Sequence, residues 1–215
     1  MSKSNKYGYS GVDIPTQAFQ ANVGKFDPAE INELVQEDKW TQYGQLELIQ
    51  TINASGTSNI EFTSIDESTY NVHFLTLQLS CTGTAGSTTY YIQFYEDGIG
   101  WETGSVYQFA YQDGNVNGTF TETKSTSQTL LSASFFYDAT TPTINGYQYF
   151  YNLGDSSKYS FQTMHSFTDD GGGDGFRLGS GVLPQTSTVT GIRLTANGST
   201  TSTGTVSLYG IKEYS

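Results

Sequence analysis

From residue 45 onward, the chain consists of short runs rich in Thr, Tyr, Val, Ile and Phe, separated by turn-forming segments. Runs of β-branched and aromatic residues are typical of strands. They lie at 46–52, 59–62, 70–79, 90–95, 106–111, 130–137, 147–152, 159–164, 176–183, 189–196 and 205–211. Roughly ten short strands at this spacing predict an all-β fold with a jelly-roll or β-sandwich body, and they leave sandwich and closed barrel open.

Turn dipeptides stand between these runs. Asn-Gly and Asp-Gly pairs tolerate the positive φ that tight hairpins require. Such pairs occur at Asp97-Gly98, Asp113-Gly114, Asn117-Gly118, Asn145-Gly146 and Asn197-Gly198. We expect the chain to reverse direction at each of them.

The composition limits what can fill the core. Aromatic residues make up 14% of the chain, with 16 Tyr and 13 Phe, whereas the wider hydrophobic class reaches only 35%. Because Tyr and Phe each bury a large area, they can compensate for few aliphatic side chains. We therefore expect an aromatic-rich core and not a disordered chain.

The chain is predicted to have two parts, an N-terminal arm at 1–44 and a β-body at 45–215. Up to residue 26 the arm is polar and its hydrophobic residues follow no period of 2 or 3.6, so it has no amphipathic face of its own. Asp27 as N-cap, Pro28 at the first helical position and Glu30 at N3 then predict one short helix near 28–37. A helix of this length is marginal alone, so we expect it to dock on the chain's own body or on a neighbour.

The charge is unevenly divided between these parts. The net charge is -12 for the whole chain, and the Asp, Glu, Lys and Arg positions assign -2 of it to the arm and -10 to the body. A surface this acidic argues against sequence-independent nucleic-acid binding and against docking on anionic lipid. We expect neither nucleic acid nor membrane as a partner, and we expect the body to face water.

The sequence offers little for catalysis. The carboxylates that could form an acid/base pair are Glu61, Asp66, Glu67, Glu96, Asp97 and Glu102, and most lie at expected turns. His73 is predicted on a sheet face, His165 at the end of a strand, and Cys81 as a small residue at a strand end. No G-x-S-x-G motif, phosphate loop or zinc spacing is present, so we expect no enzyme and no cofactor.

One loop is unusually acidic and glycine-rich. Asp169, Asp170 and Asp174 surround three consecutive glycines, and their oxygens could in principle contact Ca²⁺. Because the EF-hand spacing is absent, we interpret the segment as a mobile surface loop, predict no metal and leave calcium open.

Sugar binding is a further hypothesis. Trp101 lies in a glycine-rich turn where a tryptophan would ordinarily be exposed, which makes it a candidate glycan contact. The alternative is that this large side chain folds back over an edge of the sandwich. Tyr147, Tyr149 and Tyr151 alternate and should line one face of a strand. Aromatics on such a face usually pack against cross-strand neighbours, and we expect that here.

Both ends of the chain resemble a known group of proteins. The resemblance is carried by the opening Gly-Val-Asp-Ile-Pro and Ala-Asn-Val-Gly-Lys-Phe-Asp-Pro-Ala-Glu-Ile-Asn-Glu-Leu, then Trp40-Thr41-Gln42, and the closing Thr-Val-Ser-Leu-Tyr-Gly-Ile-Lys at 205–212. These segments are similar to small structural proteins of tailed, particularly marine, bacteriophages. The resemblance implies a non-enzymatic virion protein with a jelly-roll-like body, either a capsid decoration or a tail-fibre component, and it supplies no catalytic residues.

On this basis we expect an outer capsid decoration or cement protein whose arm anchors it to neighbouring subunits. The arm residues expected to be buried in the assembly are Ile14, Phe19, Phe26, Ile31, Leu34 and Trp40. The expected partners are the major capsid protein or tail proteins, together with further copies of the chain, for which a trimer is plausible. No apolar signal core opens the sequence, so we expect synthesis in a host cytoplasm and a place on the virion surface. The alternative is a tail-fibre or adsorption protein that binds host-surface carbohydrate.

Overall fold

The structure is a computed structural model that describes residues 28–37, 45–82, 89–134, 143–169, 174–196 and 201–213. The chain divides into two units, 1–44 and 45–215. In the first unit, helix α1 spans Pro28–Gln36, close to the predicted range. Ile31 and Leu34 of α1 are half-buried, whereas Val35 is exposed. The predicted N-cap and four of the predicted arm residues lie outside the described residues: Asp27, Ile14, Phe19, Phe26 and Trp40.

The described part of the second unit contains thirteen antiparallel strands in two sheets, which confirms the all-β prediction. The strands are β1 (Leu46–Thr57), β2 (Asn59–Phe62), β3 (Val72–Thr82), β4 (Tyr90–Glu96), β5 (Gly100–Trp101), β6 (Tyr107–Asn115), β7 (Phe120–Gln128), β8 (Leu131–Ser132), β9 (Thr143–Tyr151), β10 (Ser160–Asp169), β11 (Gly175–Leu183), β12 (Val189–Ala196) and β13 (Thr201–Ile211).

The strand order settles the choice between sandwich and barrel in favour of a sandwich. One sheet has eight strands in the order β1-β13-β3-β9-β10-β11-β6-β7, and the other has the order β2-β12-β4-β5, with β8 paired to β4. The pairs are nested from the outside inwards: β1 with β13, β2 with β12, β3 with β9 and β4 with β5. This nesting is the connectivity of a jelly roll, with β10, β11, β6 and β7 added beyond β9.

The core lies between the two sheets and is rich in aromatic side chains, as the composition predicts. Its largest fully buried members include Tyr90, Tyr107, Phe62, Phe94 and Phe150. Phe94 and Phe150 meet edge to face from opposite sheets, with ring centroids 5.9 Å apart. The buried Tyr107 hydroxyl keeps a hydrogen-bond partner, because it accepts a hydrogen bond from the Phe94 amide at 3.0 Å.

The added strands are held on their inner side by a polar layer. Arg177 on β11 donates to both carboxylate oxygens of Asp113 on β6, at 2.6 and 2.8 Å, and also to the Ser132 hydroxyl at 2.6 Å. Gln162 on β10 donates to the Ser132 carbonyl at 2.9 Å and to Gln148 on β9 at 2.7 Å. These bonds tie four strands of the larger sheet to the short β8 segment, so a network of polar contacts replaces apolar core here.

Two predicted turns are wrong, and two strands were missed. Gly114 lies inside β6 and Gly146 inside β9. A Cβ at Gly114 would collide with the Phe176 ring, and one at Gly146 would lie 2.7 Å from the His165 carbonyl oxygen, so both glycines permit close approach within the sheet. One missed strand is the two-residue β5, which the prediction placed in a turn. The other is β7, which is exposed on both faces and therefore shows no hydrophobic alternation. Asn197-Gly198 lies outside the described residues.

Candidate functional site

The outward face of the eight-stranded sheet presents a band of aromatic rings that crosses most of its strands. Side chains that are paired across neighbouring antiparallel strands point to the same face. Phe74 pairs with Tyr209 and with Tyr149, Tyr147 pairs with His165, and Phe167 pairs with Phe176. We call this set the aromatic row, and its members are Phe74, Phe120, Tyr147, Tyr149, Tyr151, His165, Phe167, Phe176 and Tyr209.

The rings of the aromatic row contact one another from strand to strand. Phe74 lies 4.8 Å from Tyr149 and 6.2 Å from Tyr209, measured between ring centroids. His165 lies 5.6 Å from Tyr147 and 4.7 Å from Phe167. The row continues over Gly114, where Phe176 and Phe120 meet at 6.3 Å. The sequence prediction of packing against cross-strand neighbours is therefore correct for Tyr147 and Tyr149, whereas the Tyr151 ring stacks on Tyr149 of its own strand at 6.4 Å.

This packing leaves much of the aromatic row open to solvent. Tyr147 is 42% exposed, Phe167 is 53% exposed and Phe120 is 63% exposed. Other large hydrophobic side chains on the same face are also exposed, among them Leu48 on β1 and Leu178 on β11. Contiguous exposed apolar surface of this kind is unusual on a monomer, which makes this face a candidate interaction site.

The same face carries almost no charge, although the body as a whole is strongly acidic. The outward positions of β1, β13, β3, β9, β10 and β11 are occupied by aromatic, aliphatic, Thr, Ser, Asn and Gln side chains. Asp169 at the end of β10 is the one carboxylate at these described positions. Lys124 and Glu122 appear only farther out, on β7. The charges of the body are thus placed elsewhere.

Three shallow grooves lie on this side of the sheet. They have volumes of about 660, 360 and 500 Å³. The groove of about 360 Å³ is lined by Phe167 and Phe176 together with Asn145, Asp169 and Asp174. This groove therefore combines apolar rings with hydrogen-bonding amide and carboxylate groups.

His165 corrects one sequence prediction. It lies within β10 and not at the end of a strand, and a hydrogen bond of 3.3 Å joins its Nδ1 to the Tyr147 hydroxyl. The other half of the row, Phe167, Phe176 and Phe120, was not identified from the sequence. The alternation of His165 with Phe167 in the sequence could have indicated that these two rings share a face of one strand. The register that brings Phe176 beside them depends on long-range strand pairing.

Trp101, the candidate glycan contact, lies on the outer side of the five-stranded sheet and is half-buried. The Arg193 guanidinium lies 4.4 Å from its ring centroid, and Tyr95 meets it edge to face at 5.3 Å. Arg193 is in turn bonded to Gln93 at 3.1 Å and to Glu61 at 3.3 Å. One face of the indole is therefore already covered by a cation–π contact, and the ring belongs to a packed polar cluster.

The remaining candidate catalytic groups are dispersed. The His73 ring is buried on the inner face of β3, and its Nε2 bonds the Ile65 carbonyl at 2.7 Å. Burial lowers the pKa of His73. Cys81 is buried near the end of β3, as predicted from its position.

Among the predicted carboxylates, Glu96 and Glu102 come close together. Glu96 is only 2% exposed, and burial raises its pKa, with a further rise from the neighbouring Glu102 carboxyl. The Glu102 carboxylate accepts a hydrogen bond from the Gly104 amide at 2.5 Å. The burial of Glu96 places this pair against the protein interior and not in a cleft.

The acidic loop is described only at its two ends. Asp169 and Asp174 line the same groove, whereas Asp170 and the three glycines lie outside the described residues. Among the residues that the structure describes, no three His, Cys, Asp or Glu side chains assemble a metal ligand set.

Comparison with protein-family models, with curated proteins and with solved structures finds no match to this chain. Within the described ranges, no helix is both long and apolar enough to cross a membrane.

Proposed function

We propose that the chain is a non-enzymatic structural protein of a phage virion, namely an outer capsid decoration or cement protein. The observation that carries the proposal is the charge-poor, aromatic outward face of the eight-stranded sheet on a body with a net charge of -10. The cores of protein interfaces are depleted in charged residues and enriched in Tyr and Phe, which is the composition of this face.

The arm supplies the second part of the proposal. Unit 1–44 carries the short helix α1, in which Ile31 and Leu34 form a narrow apolar stripe with Val35 exposed beside them. Amphipathic helices of this kind bind by laying an apolar face into a groove of a partner. In the proposal, the arm fastens the protein to the major capsid protein or a tail protein, and the body remains on the virion surface.

Two measurements test this proposal. Quantitative mass spectrometry should be applied to purified virions of the phage whose genome encodes this chain. It should find about tens to hundreds of copies of the chain per particle if it is a decoration protein, and few copies if it is a tail component. Deletion of 1–39 should leave a folded body that no longer joins the particles. Absence of the full chain from virions, or undiminished incorporation of the truncated body, would overturn the proposal.

A second candidate function is adsorption to host-surface carbohydrate. The groove between Phe167 and Phe176 favours it, because aromatic rings stack on sugar faces while Asn145, Asp169 and Asp174 can bond hydroxyl groups. Binding of the full chain on a panel of host-surface glycans should then fall with Phe167→Ala and persist with Leu178→Ala, an exposed residue outside this groove. No binding across the panel would exclude this function.

A further inference from the structure

We propose that the outward face of the eight-stranded sheet is covered by a second copy of this chain, so that the protein acts as a homo-oligomer built through the aromatic row. This inference rests on the proposed function only in taking the face as a protein interface. It goes further because it identifies the occupant of that face.

The area of the face is sufficient for such a contact. Five strands, β13, β3, β9, β10 and β11, at a spacing of about 4.8 Å, with about nine residues each, cover roughly 24 by 30 Å, or about 700 Å² per copy. Two such faces would bury roughly 1,400 Å² in total, within the range of stable specific interfaces. No additional segment of the chain is needed to reach this size.

The distribution of charge favours a second copy over a partner chosen by opposite charge. Recognition of a charged partner uses complementary charges around the contact, and this face has none to offer along its central strands. Two bodies of net charge -10 repel one another wherever their acidic surfaces meet. They can approach closely only where both are uncharged, and the outward positions of β13, β3, β9 and β11 meet that condition on both copies.

The side chains of the face are also suited to self-contact. Tyr147, Phe167 and Leu178 are exposed and project from adjacent strands, with short Thr, Ser and Asn side chains between them. Large rings that alternate with short polar groups give ridges and hollows, and in a symmetric contact each copy offers both. The exposed parts of the aromatic row are then buried by the same parts of a neighbour.

The experiment is sedimentation equilibrium of the full chain with two matched variants. Asn145→Asp and Asn59→Asp each add one negative charge with almost no change of shape, and both asparagines are exposed on strands. Asn145 lies on the outward face beside Phe167, whereas Asn59 lies on β2 of the other sheet. The wild-type chain should associate at micromolar concentration, with Asn145→Asp raising the dissociation constant at least tenfold and Asn59→Asp changing it less than twofold.

A stronger variant and a salt series complete the test. Tyr147→Glu should give a monomer, with circular dichroism to check its fold. Because association buries uncharged surface between acidic bodies, the wild-type dissociation constant should fall as NaCl increases and screens the repulsion. A wild-type chain that is monomeric at 100 µM would overturn the inference. So would an oligomer that both face variants leave intact.

The outcomes separate this inference from the proposed function. If the chain is a monomer but enters virions through the same face, the proposed function stands and self-association is refuted. If the chain associates through the face but is absent from virions, self-association stands and the virion role is refuted.

Discussion

Removal of the Asp113 carboxylate should destabilise the body far more than the loss of one ordinary surface ion pair. Its partner Arg177 is 11% exposed at the side chain and Asp113 is 12% exposed, so the charges are largely removed from water. Arg177 donates twice to Asp113 and once each to the Ser132 hydroxyl and the Ser134 carbonyl. Asp113→Ala removes two of these bonds and leaves the guanidinium charge without its carboxylate.

The size of the effect follows from this geometry. Breaking a buried ion pair by removing one partner costs about 3–5 kcal/mol, because the remaining charge is buried and uncompensated. The Ser132 and Ser134 bonds and the Tyr111 ring, 5.4 Å from the guanidinium carbon, still stabilise part of the Arg177 charge. We therefore expect a loss of about 3 kcal/mol, which for a body of this size lowers Tm by about 10 °C.

Urea unfolding at 25 °C, followed by circular dichroism, measures this loss. Lys158→Ala serves as the control, because it breaks the exposed Lys158–Asp155 pair and should leave the midpoint unchanged. Combining Asp113→Ala with Arg177→Met should recover part of the stability, since no unpaired charge then remains buried. A loss below about 1 kcal/mol for Asp113→Ala, or no recovery in the double variant, would refute the reasoning that this polar layer is desolvated.

Three further predictions concern single buried positions. Burial lowers the pKa of His73 below the unfolded value of 6.5, so its contribution to stability should be full above pH 6.5 and fall as the pH drops towards 5. In thermal melts, His73→Gln should make Tm less dependent on pH in this range. An unchanged dependence of Tm on pH would contradict the prediction. The raised pKa of Glu96 gives the opposite pH dependence, because its contribution to stability is present below pH 4.5 and lost as the pH rises. Glu96→Gln should therefore raise Tm at pH 7 but not at pH 4. Equal gains in Tm at both pH values would exclude the charge as the cause. Gly210→Ala would press a Cβ into the Tyr70 ring and should cost about 1–3 kcal/mol in urea unfolding, and a neutral result would mean that Tyr70 moves freely.

Local pattern was enough to predict the strands that bury one face. The alternation of Leu75, Leu77 and Leu79 predicts the inner side of β3, and all three are buried. The same rule failed for β7, which has no buried side and is held by backbone pairing with β6. Turn dipeptides were also ambiguous, because Gly114 and Gly146 serve close packing inside strands and not reversal of the chain.

The candidate site was only partly visible in the sequence. The tyrosines at 147, 149 and 151 share one strand, so their common face follows from the period of two. The assembly of Phe74, His165 and Phe176 around them depends on the order of β3, β9, β10 and β11, which joins distant parts of the chain. The order of these strands cannot be predicted from a single sequence, since many different strand pairings are compatible with the same local pattern of residues.

The nested pairing of β1 with β13 has a consequence for how the protein is made. β13 lies between β1 and β3, in the interior of the larger sheet, yet it comes last in chain order among the described strands. Until it emerges from the ribosome, β1 and β3 each have an unpaired edge and the hydrophobic side of β3 has no complete layer around it. The larger sheet can therefore be completed only after residues 201–211 have been synthesised, and loss of these residues would remove a central strand.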